Sequence, residues 1–458
     1  MASTPTDHPT TASTFPTQQK SIPYSCDNQE RTPLSSILPP LIFGTATFNH
    51  QYNSDPYALD TTGLVTSALT HGIRAFDTSP YYGPSETLLG NALATPFVRD
   101  TFPRNSYMIL TKAGRIAADL FDYSAHWIRK SVMRSLERLH TDYLDLVYCH
   151  DIEFVSPAQV LEAVCELRRL KDEGKIRYVG ISGYPIDVLG DVAEMILRET
   201  GEAIDCVQSY ANFTLQNQTL AGPRGIERLR NAGVEVVPNA SPLGMGLLRH
   251  QGVPVGAMGD FHPASRELRA TVREASDFCD RHGEKIEVIA LRYALETWIS
   301  VGASCGSKGD PASGLPWKHE SNDDVGGSKL GVSVIGVSNS AELEKTMLVW
   351  RSIIDGLEGG EETAVQAGRW YRAWEWSRNR RKAVQMLAEG VQEILGQWFG
   401  YAWESPEPGW VNARKEGSTL KSEDGAEVSW LTPAASPEQG PVVNAAEFFH
   451  SDQGVPLR

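Results

Sequence analysis

The sequence has few cysteines and no long apolar segment. Its six cysteines are scattered singly along 458 residues without a CxxC pair, which favours a reducing, cytoplasmic compartment. No run of 18 or more apolar residues occurs, so we expect no membrane-spanning helix. The first twenty residues lack the apolar core of a secretory signal, and we expect no signal peptide.

Basic residues are also scarce relative to acidic ones. The 42 Lys and Arg residues against 57 Asp and Glu residues give a net charge of −15 and a pI near 5.3. This balance argues against nucleic acid or an anionic membrane as the main partner. A hydrophobic fraction of 41% is nevertheless ordinary for a soluble globular protein with a large core.

Eight short apolar runs recur along the chain, separated by amphipathic stretches. They cover residues 40–48, 74–79, 108–114, 144–151, 176–183, 205–212, 234–243 and 332–338. They are nearly continuous in Val, Ile and Leu rather than alternating, which is typical of parallel strands buried on both faces. Eight strand–helix units predict an α/β fold, a (β/α)₈ TIM barrel, with a doubly wound open sheet as the competing arrangement.

The flanking segments depart from this rhythm. Residues 1–35 are rich in Ser, Thr and Pro and predict a disordered arm before a barrel that spans 36–356. Within the barrel, 304–331 reads as a flexible surface insertion. Residues 357–415 predict a Trp-rich helical extension, whose tryptophans at 370, 374 and 376 we expect to pack against the barrel. Residues 416–458 predict a poorly ordered tail.

Polar residues stand where the predicted strands end. In chain order they are Gly44 and Thr45, Asp77, Lys112, His150, Ser182, Gln208, the 239–241 segment, and Gly336 with Ser338. The carboxyl ends of the strands meet at one rim of a barrel, and that rim carries the chemistry. Asp, Lys and His at three successive rim positions therefore predict an active site rather than a structural rim.

The residue types favour proton transfer at one oxygen. A tyrosine has a pKa near 10 in water, and a neighbouring lysine ammonium would favour the phenolate and lower that pKa. An aspartate would hold the lysine, and a histidine can orient a carbonyl or hydroxyl oxygen. No metal-binding cluster and no Ser or Cys nucleophile is indicated, so the set suits hydride transfer with a bound cofactor.

The segments "FDTSPYYGPSE", "ILTKAG" and "LVYCHD" resemble the aldo-keto reductase family over residues 38–356. The resemblance implies a catalytic tetrad of Asp77, Tyr82, Lys112 and His150. Tyr82 rather than Tyr81 corresponds to the family tyrosine, because that residue follows the aspartate by five positions and immediately precedes glycine.

The same resemblance implies a nicotinamide cofactor. The implied cofactor-binding residues are Gly44, Thr45, Ser182, Gln208, Ser241, Leu243, Gly336, Ser338 and Glu342. Gly183 and Ala240 depart from the family, which has asparagine and tyrosine at these positions. In family members that prefer NADPH, a lysine and an arginine hold the 2′-phosphate. This chain has Gly336 at the lysine position and Glu342 near the arginine position, so NAD is favoured over NADP. The N-terminus of the helix near Ser340 would meet the pyrophosphate.

"GISGYP", "NASPLGMGLL" and "HDIEFV" resemble a subgroup of fungal D-arabinose 1-dehydrogenases and plant L-galactose dehydrogenases. This implies NAD-dependent oxidation of an aldose at C1 to the aldono-lactone, with D-arabinose and D-arabinono-1,4-lactone as the expected pair. The expected partner is the small sugar alone, and the expected state is a monomer. One alternative is an NADPH-dependent aldehyde or ketone reductase. Another is a cofactor-binding regulatory subunit, like the channel-associated β subunits of the superfamily.

Overall fold

Eight parallel strands close into a barrel in chain order. The computed structural model describes residues 32–254, 259–308, 329–357 and 371–414, the last range with side chains from residue 375 onward. The strands are β1 (Leu41–Gly44), β2 (Ala75–Asp77), β3 (Met108–Ala113), β4 (Leu144–His150), β5 (Ile176–Gly183), β6 (Cys206–Tyr210), β7 (Asn239–Ala240) and β8 (Ser333–Gly336). The predicted (β/α)₈ barrel is confirmed, and the open sheet is excluded because β1 pairs with β8.

Helices surround the strands. They are α1 (Thr61–Thr70), α2 (Ser85–Leu93), α3 (Pro96–Thr101), α4 (Ala125–Arg138), α5 (Pro157–Asp172), α6 (Ile186–Thr200), α7 (Arg228–Asn231), α8 (Arg266–Arg281), α9 (Ile286–Val301), α10 (Ser340–Asp355) and α11 (Tyr371–Leu395). No helix in the described ranges combines the length and the apolar character needed to cross a membrane.

Alternation along the strands separates two apolar layers. Tyr148 and Leu146 of β4 face the barrel interior, where Leu34 also packs. Val147 and Cys149 belong instead to the layer between strands and helices, as the strand period predicts for Cys149. His150 follows Cys149, so its side chain returns to the interior at the strand's carboxyl end. The period of two therefore aims this candidate residue at the rim.

The predicted arm and insertion differ from the structure at their edges. Leu34 is fully buried and Ser35 donates its N–H to Glu235 Oε1 at 2.9 Å, so both belong to the packed fold rather than to an arm. At the insertion, Ser307 and Leu330 exchange two backbone hydrogen bonds of 2.8 Å, and Ser307 is buried. The ends of the insertion are therefore part of the fold, while residues 1–31 and 309–328 lie outside the described residues.

Helix α11 packs on the barrel mainly through aliphatic residues. Val384, Ala388, Val391 and Leu395 are buried in one apolar cluster with residues of α8 and α9. Trp376 is 56% exposed, but its ring lies 5.7 Å from the guanidinium of the buried Arg292 of α9, so it contributes at the edge of this contact. Aliphatic side chains spaced along one helix face supply the buried part. Trp370, the side chain of Trp374 and the predicted tail at 416–458 lie outside the described residues.

Candidate active site

The buried centre of the rim holds an ion pair. Lys112 Nζ, from β3, donates to Asp77 Oδ1 at 2.6 Å and to the Thr78 carbonyl oxygen at 3.0 Å. From β6, Gln208 Nε2 donates to the other carboxylate oxygen of Asp77 at 3.2 Å. Lys112 is 3% exposed and Asp77 is 4% exposed. Because a buried charge is costly unless it is paired and hydrogen-bonded, these three side chains hold one another in place.

Tyr82 lies in the turn between β2 and α2. Gly83 has a φ of 57°, in the left-handed region that favours glycine, and the Tyr82 N–H donates to the Ser79 carbonyl oxygen at 3.1 Å. This turn places the phenol ring 4.9 Å from Lys112 Nζ. The His150 ring stands edge-on to the same phenol at 5.8 Å. The structure therefore brings the four residues of the predicted tetrad together.

The phenol of Tyr82 keeps its proton in this environment. Burial is the largest influence and raises the pKa of Tyr82 well above its ordinary value, and the carboxylates of Asp77 and Asp151 raise it further. The sequence predicted the opposite direction, with Lys112 lowering the pKa. That prediction was wrong because the phenol is buried, and because the Lys112 ammonium is already paired with Asp77, whose negative charge also opposes formation of a phenolate.

His150, at the end of β4, is a neutral hydrogen-bonding group. Burial lowers the pKa of His150 to about 3, against the opposing effect of the Asp151 carboxylate. Ser79 Oγ lies 3.1 Å from Nδ1, and the Tyr123 hydroxyl donates to the His150 carbonyl oxygen at 2.5 Å. A neutral imidazole offers one N–H donor and one acceptor nitrogen. It can therefore orient an oxygen without adding charge to the site.

Two of the predicted cofactor residues lie on the interior beside this group. The strand register places Ser182 between His150 and Gln208. Ser182 is buried and donates to the Cys149 carbonyl oxygen at 3.3 Å. The neighbouring residue is Gly183, where the family has asparagine. Glycine is needed here because a Cβ would lie 2.5 Å from a carboxylate oxygen of Glu153.

A second set of predicted cofactor residues lies where β8 meets β1. Gly336 is the register partner of Gly44 and is exposed at the rim. A Cβ on Gly336 would come within 3.0 Å of the Thr47 methyl group, so glycine keeps this part of the rim open. Thr45 is different, because it is fully buried and its hydroxyl donates to the Asp77 carbonyl oxygen at 3.0 Å. Its side chain supports the rim from within.

The last predicted positions flank these strands. Ser338 donates its N–H to Glu342 Oε2 at 2.7 Å, while Glu342 donates its own N–H to Asn339 Oδ1 at 2.9 Å. Glu342 is thus fixed in the first turn of α10 as a capping carboxylate. Ser241 follows β7 with a φ of 56° and is half-buried, and Leu243 packs on the apolar cluster of α11.

A sequence profile of the Aldo/keto reductase family matches residues 40–353, more than half of the chain. The chain belongs to the aldo/keto reductase family. It is 47% identical over 272 residues to D-arabinose 1-dehydrogenase of Saccharomyces cerevisiae, which covers 59% of this chain and 78% of the yeast protein. It is 41% identical over 239 residues to L-galactose dehydrogenase of Arabidopsis thaliana, covering 52% and 70% of the two chains.

Among solved structures, the glycerol dehydrogenase of Gluconobacter oxydans aligns with a TM-score of 0.50 at 19% identity. The alignment covers 83% of this chain and 99% of that one, and at this identity it supports the fold alone. Family membership makes the protein a nicotinamide-dependent oxidoreductase. The residues present fit such a cofactor. An interior hydroxyl and amide stand beside the tetrad, and an open glycine-lined rim adjoins the N-terminus of α10, where backbone N–H groups favour phosphate.

One charged group beside the tetrad of this aldo/keto reductase was not singled out from the sequence. Asp151 follows His150 directly and forms an ion pair with Arg115. Arg115 lies 3.8 Å above the Tyr81 ring and donates to the Tyr81 hydroxyl at 3.0 Å. The acidic residue directly after the rim histidine in "LVYCHD" could have indicated this charged group. Its orientation depends on a backbone turn that the residue pattern does not reveal.

The segment 396–414, which we call the C-terminal strap, was also missed. It runs across the loops that follow the strands at the rim. Trp403 stacks on Tyr184 with ring centroids 4.6 Å apart, and Gln216 Nε2 donates to the carbonyl oxygens of Trp398 and Tyr401 at 2.6 and 2.9 Å. Loops after β5 and β6 are thereby tied to the strap, which no periodicity along the chain indicated.

Glu153 joins the strap to the rim. Its Oε1 accepts hydrogen bonds of 3.1 Å from the Tyr184 N–H and the Ser405 hydroxyl. Its Oε2 is buried and has no hydrogen-bond partner among the described residues. Burial raises the pKa of Glu153 to about 8, and the Asp151 carboxylate contributes to the same direction. The carboxyl group is therefore largely protonated at neutral pH.

Proposed function

We propose that the protein oxidises an aldose at C1 to the aldono-lactone, with D-arabinose as the substrate and NAD as the acceptor. The observation that carries the proposal is the Tyr82 phenol held beside Lys112 and the neutral His150 at the barrel rim. Similarity to D-arabinose 1-dehydrogenase of S. cerevisiae, at 47% identity, supports the choice of sugar.

Side chains of the protein itself carry out the proton transfer. A nicotinamide cofactor, when bound, accepts hydride from C1 of the sugar. His150 orients the anomeric oxygen. Tyr82 first loses its own proton to solvent, and the resulting phenolate oxygen then accepts the proton of the anomeric hydroxyl and becomes a phenol again. Lys112, fixed by Asp77, places its ammonium group beside the phenolate before that transfer. Because the pKa of Tyr82 is raised, only a small fraction of the phenol is ready to accept that proton at neutral pH.

The preference for NAD rests on what stands at the β8 edge. Gly336 presents no cation there, and Glu342 places a carboxylate in the first turn of α10. A carboxylate repels a 2′-phosphate, whereas it accepts a hydrogen bond from a ribose hydroxyl. Glu342 uses Oε2 to cap Ser338, which fixes the charge at this end of the helix.

The test is a set of initial rates with D-arabinose, L-galactose and L-fucose, each with NAD and with NADP, followed by absorbance of the reduced nicotinamide. We expect the highest kcat/KM with D-arabinose and NAD. Clear NADPH-driven reduction of simple aldehydes without sugar oxidation would favour the reductase alternative. Nucleotide binding without turnover in either direction would favour the regulatory subunit.

Tyr82→Phe should lower turnover by about 10²–10⁴-fold while NAD binding, measured by fluorescence titration, stays nearly unchanged. Tyr81→Phe is the matched control, because Tyr81 is the adjacent tyrosine and its hydroxyl accepts from Arg115. It should retain a readily measured rate. Substantial turnover by Tyr82→Phe would remove this residue from the acid–base role.

The proposal extends to a monomer in a reducing, cytoplasmic compartment. The five described cysteines are free thiols, and four of them are buried. Light scattering on the protein as it elutes from a size-exclusion column tests whether it is a monomer. Fluorescence microscopy of the tagged full chain tests whether it is cytoplasmic. A dimer mass or an organellar signal would contradict the respective part.

A further inference from the structure

The backbone turns sharply after His150. Asp151 has a φ of 57°, in the left-handed region, which aspartate tolerates better than most residues. Without this turn the strand period would send its side chain toward the helix layer, as it does for Cys149. Instead Asp151 Oδ2 lies 3.6 Å from His150 Nε2. Two consecutive side chains are thereby aimed at the same part of the rim.

The Asp151 carboxylate is buried and charged, and only some of its hydrogen-bond acceptor positions are used. It is 2% exposed, and burial alone would raise its pKa. The Arg115 guanidinium outweighs that effect and holds the pKa of the Asp151 carboxyl below its ordinary value. Within the described residues, its one side-chain hydrogen bond comes from Arg115 to Oδ2. An ionised carboxylate has about four acceptor positions, so it can accept further hydrogen bonds from a ligand.

The Arg115 guanidinium is itself held in place. Its planar face stacks on the Tyr81 ring, and Nη2 donates to the Tyr81 hydroxyl at 3.0 Å. The pair of opposite charges has no net charge, so it offers no attraction for an anionic sugar phosphate. It instead presents a fixed acceptor beside the residues that hold the C1 oxygen. Such a preorganised acceptor is the kind of group that distinguishes a hydroxyl from a hydrogen atom.

We infer that Asp151 accepts a hydrogen bond from the substrate hydroxyl on the carbon next to C1, and that Arg115 positions this carboxylate. The inference rests on the proposed function. His150 and Tyr82 hold the oxygen on C1, and the vicinal oxygen of a sugar lies about one hydrogen-bond length from it. The Asp151 carboxylate, with Oδ2 3.6 Å from His150 Nε2, is therefore close enough to accept a hydrogen bond from that second hydroxyl. The pair therefore selects 2-hydroxylated, uncharged substrates over simple aldehydes.

The test compares two sugars that differ only at this hydroxyl. D-arabinose and 2-deoxy-D-ribose are offered to the wild type and to Asp151→Asn, and the ratio of their kcat/KM values is measured. The wild type should prefer D-arabinose. The isosteric amide is a weaker, uncharged acceptor, and we expect the preference to fall about tenfold. A purely structural role would lower both rates together and leave the ratio unchanged, which would overturn the inference.

Glu153→Gln is the matched control. It removes a neighbouring carboxyl group that bonds to Tyr184 and Ser405, and the ratio should keep its wild-type value. If the wild type oxidises no sugar, the proposed function fails, and the same comparison moves to reduction of lactaldehyde and propanal with reduced nicotinamide. A wild-type preference for lactaldehyde that falls in Asp151→Asn supports the inference independently. Equal ratios in the two proteins refute it.

Discussion

Replacing Lys112 with methionine should destabilise the barrel through a charge left without its partner. Methionine fills a similar volume, but Asp77 would keep only the 3.2 Å hydrogen bond from Gln208. Both members of the present pair are at most 5% exposed in their side chains, so solvent cannot replace the lost ammonium. Breaking one side of a buried ion pair costs about 3–5 kcal/mol of unfolding free energy. We expect Lys112→Met to lose an amount in that range.

The double variant Asp77→Asn with Lys112→Met tests whether charge is the cause. It removes the lone carboxylate and should recover about 2 kcal/mol or more relative to Lys112→Met, because no uncompensated charge remains. Urea unfolding followed by tryptophan fluorescence gives the midpoints and slopes for the three proteins. Both variants should be inactive, so the recovery concerns stability alone. A double variant no more stable than Lys112→Met, or a loss below about 1 kcal/mol in the single variant, would refute the reasoning.

Three further predictions follow from the site. Because the pKa of Tyr82 is raised, its base form appears only at high pH, and kcat for sugar oxidation should still be rising at about pH 10; a plateau near neutral pH would contradict this. Gly336→Lys adds a cation at the β8 edge and should raise the NADP-to-NAD ratio of kcat/KM by about tenfold, with Gly336→Ala as the uncharged control. Folded Glu153 has a pKa of about 8 against 4.5 when unfolded, so the wild type is stabilised at low pH and loses that stability as pH rises to about 8. The unfolding free energy of Glu153→Gln relative to the wild type should therefore increase by about 2–4 kcal/mol between about pH 5 and pH 9 in parallel urea titrations, and a constant difference would count against a buried, protonated carboxyl.

The strands and the rim residues were readable from the chain because their signals are local. An apolar run such as that ending in "LVYCH" identifies a buried parallel strand, and the polar residue at its end faces the rim by the period of two. Eight such units can close in few ways, so Lys112 and His150 were expected to meet although 38 positions separate them. The boundaries of the N-terminal arm and of the insertion were predicted less accurately. Composition predicted a loop at 304–331 and an arm through residue 35, while Ser307 and Leu34 are packed into the fold.

Residue types, strand order and the meeting of Asp77, Lys112, Tyr82 and His150 thus followed from the sequence and from the resemblance it carries. The tertiary structure decided the electrostatics and the orientations. Whether the pKa of Tyr82 is raised or lowered depends on the combined effect of burial and of charges from separate strands. That combined effect is opposite to the one expected from Lys112 alone. The direction of Asp151 depends on one left-handed backbone turn. The strap reaches the rim through contacts such as that of Trp403 with Tyr184, more than 200 residues apart, which only the closed barrel brings within reach.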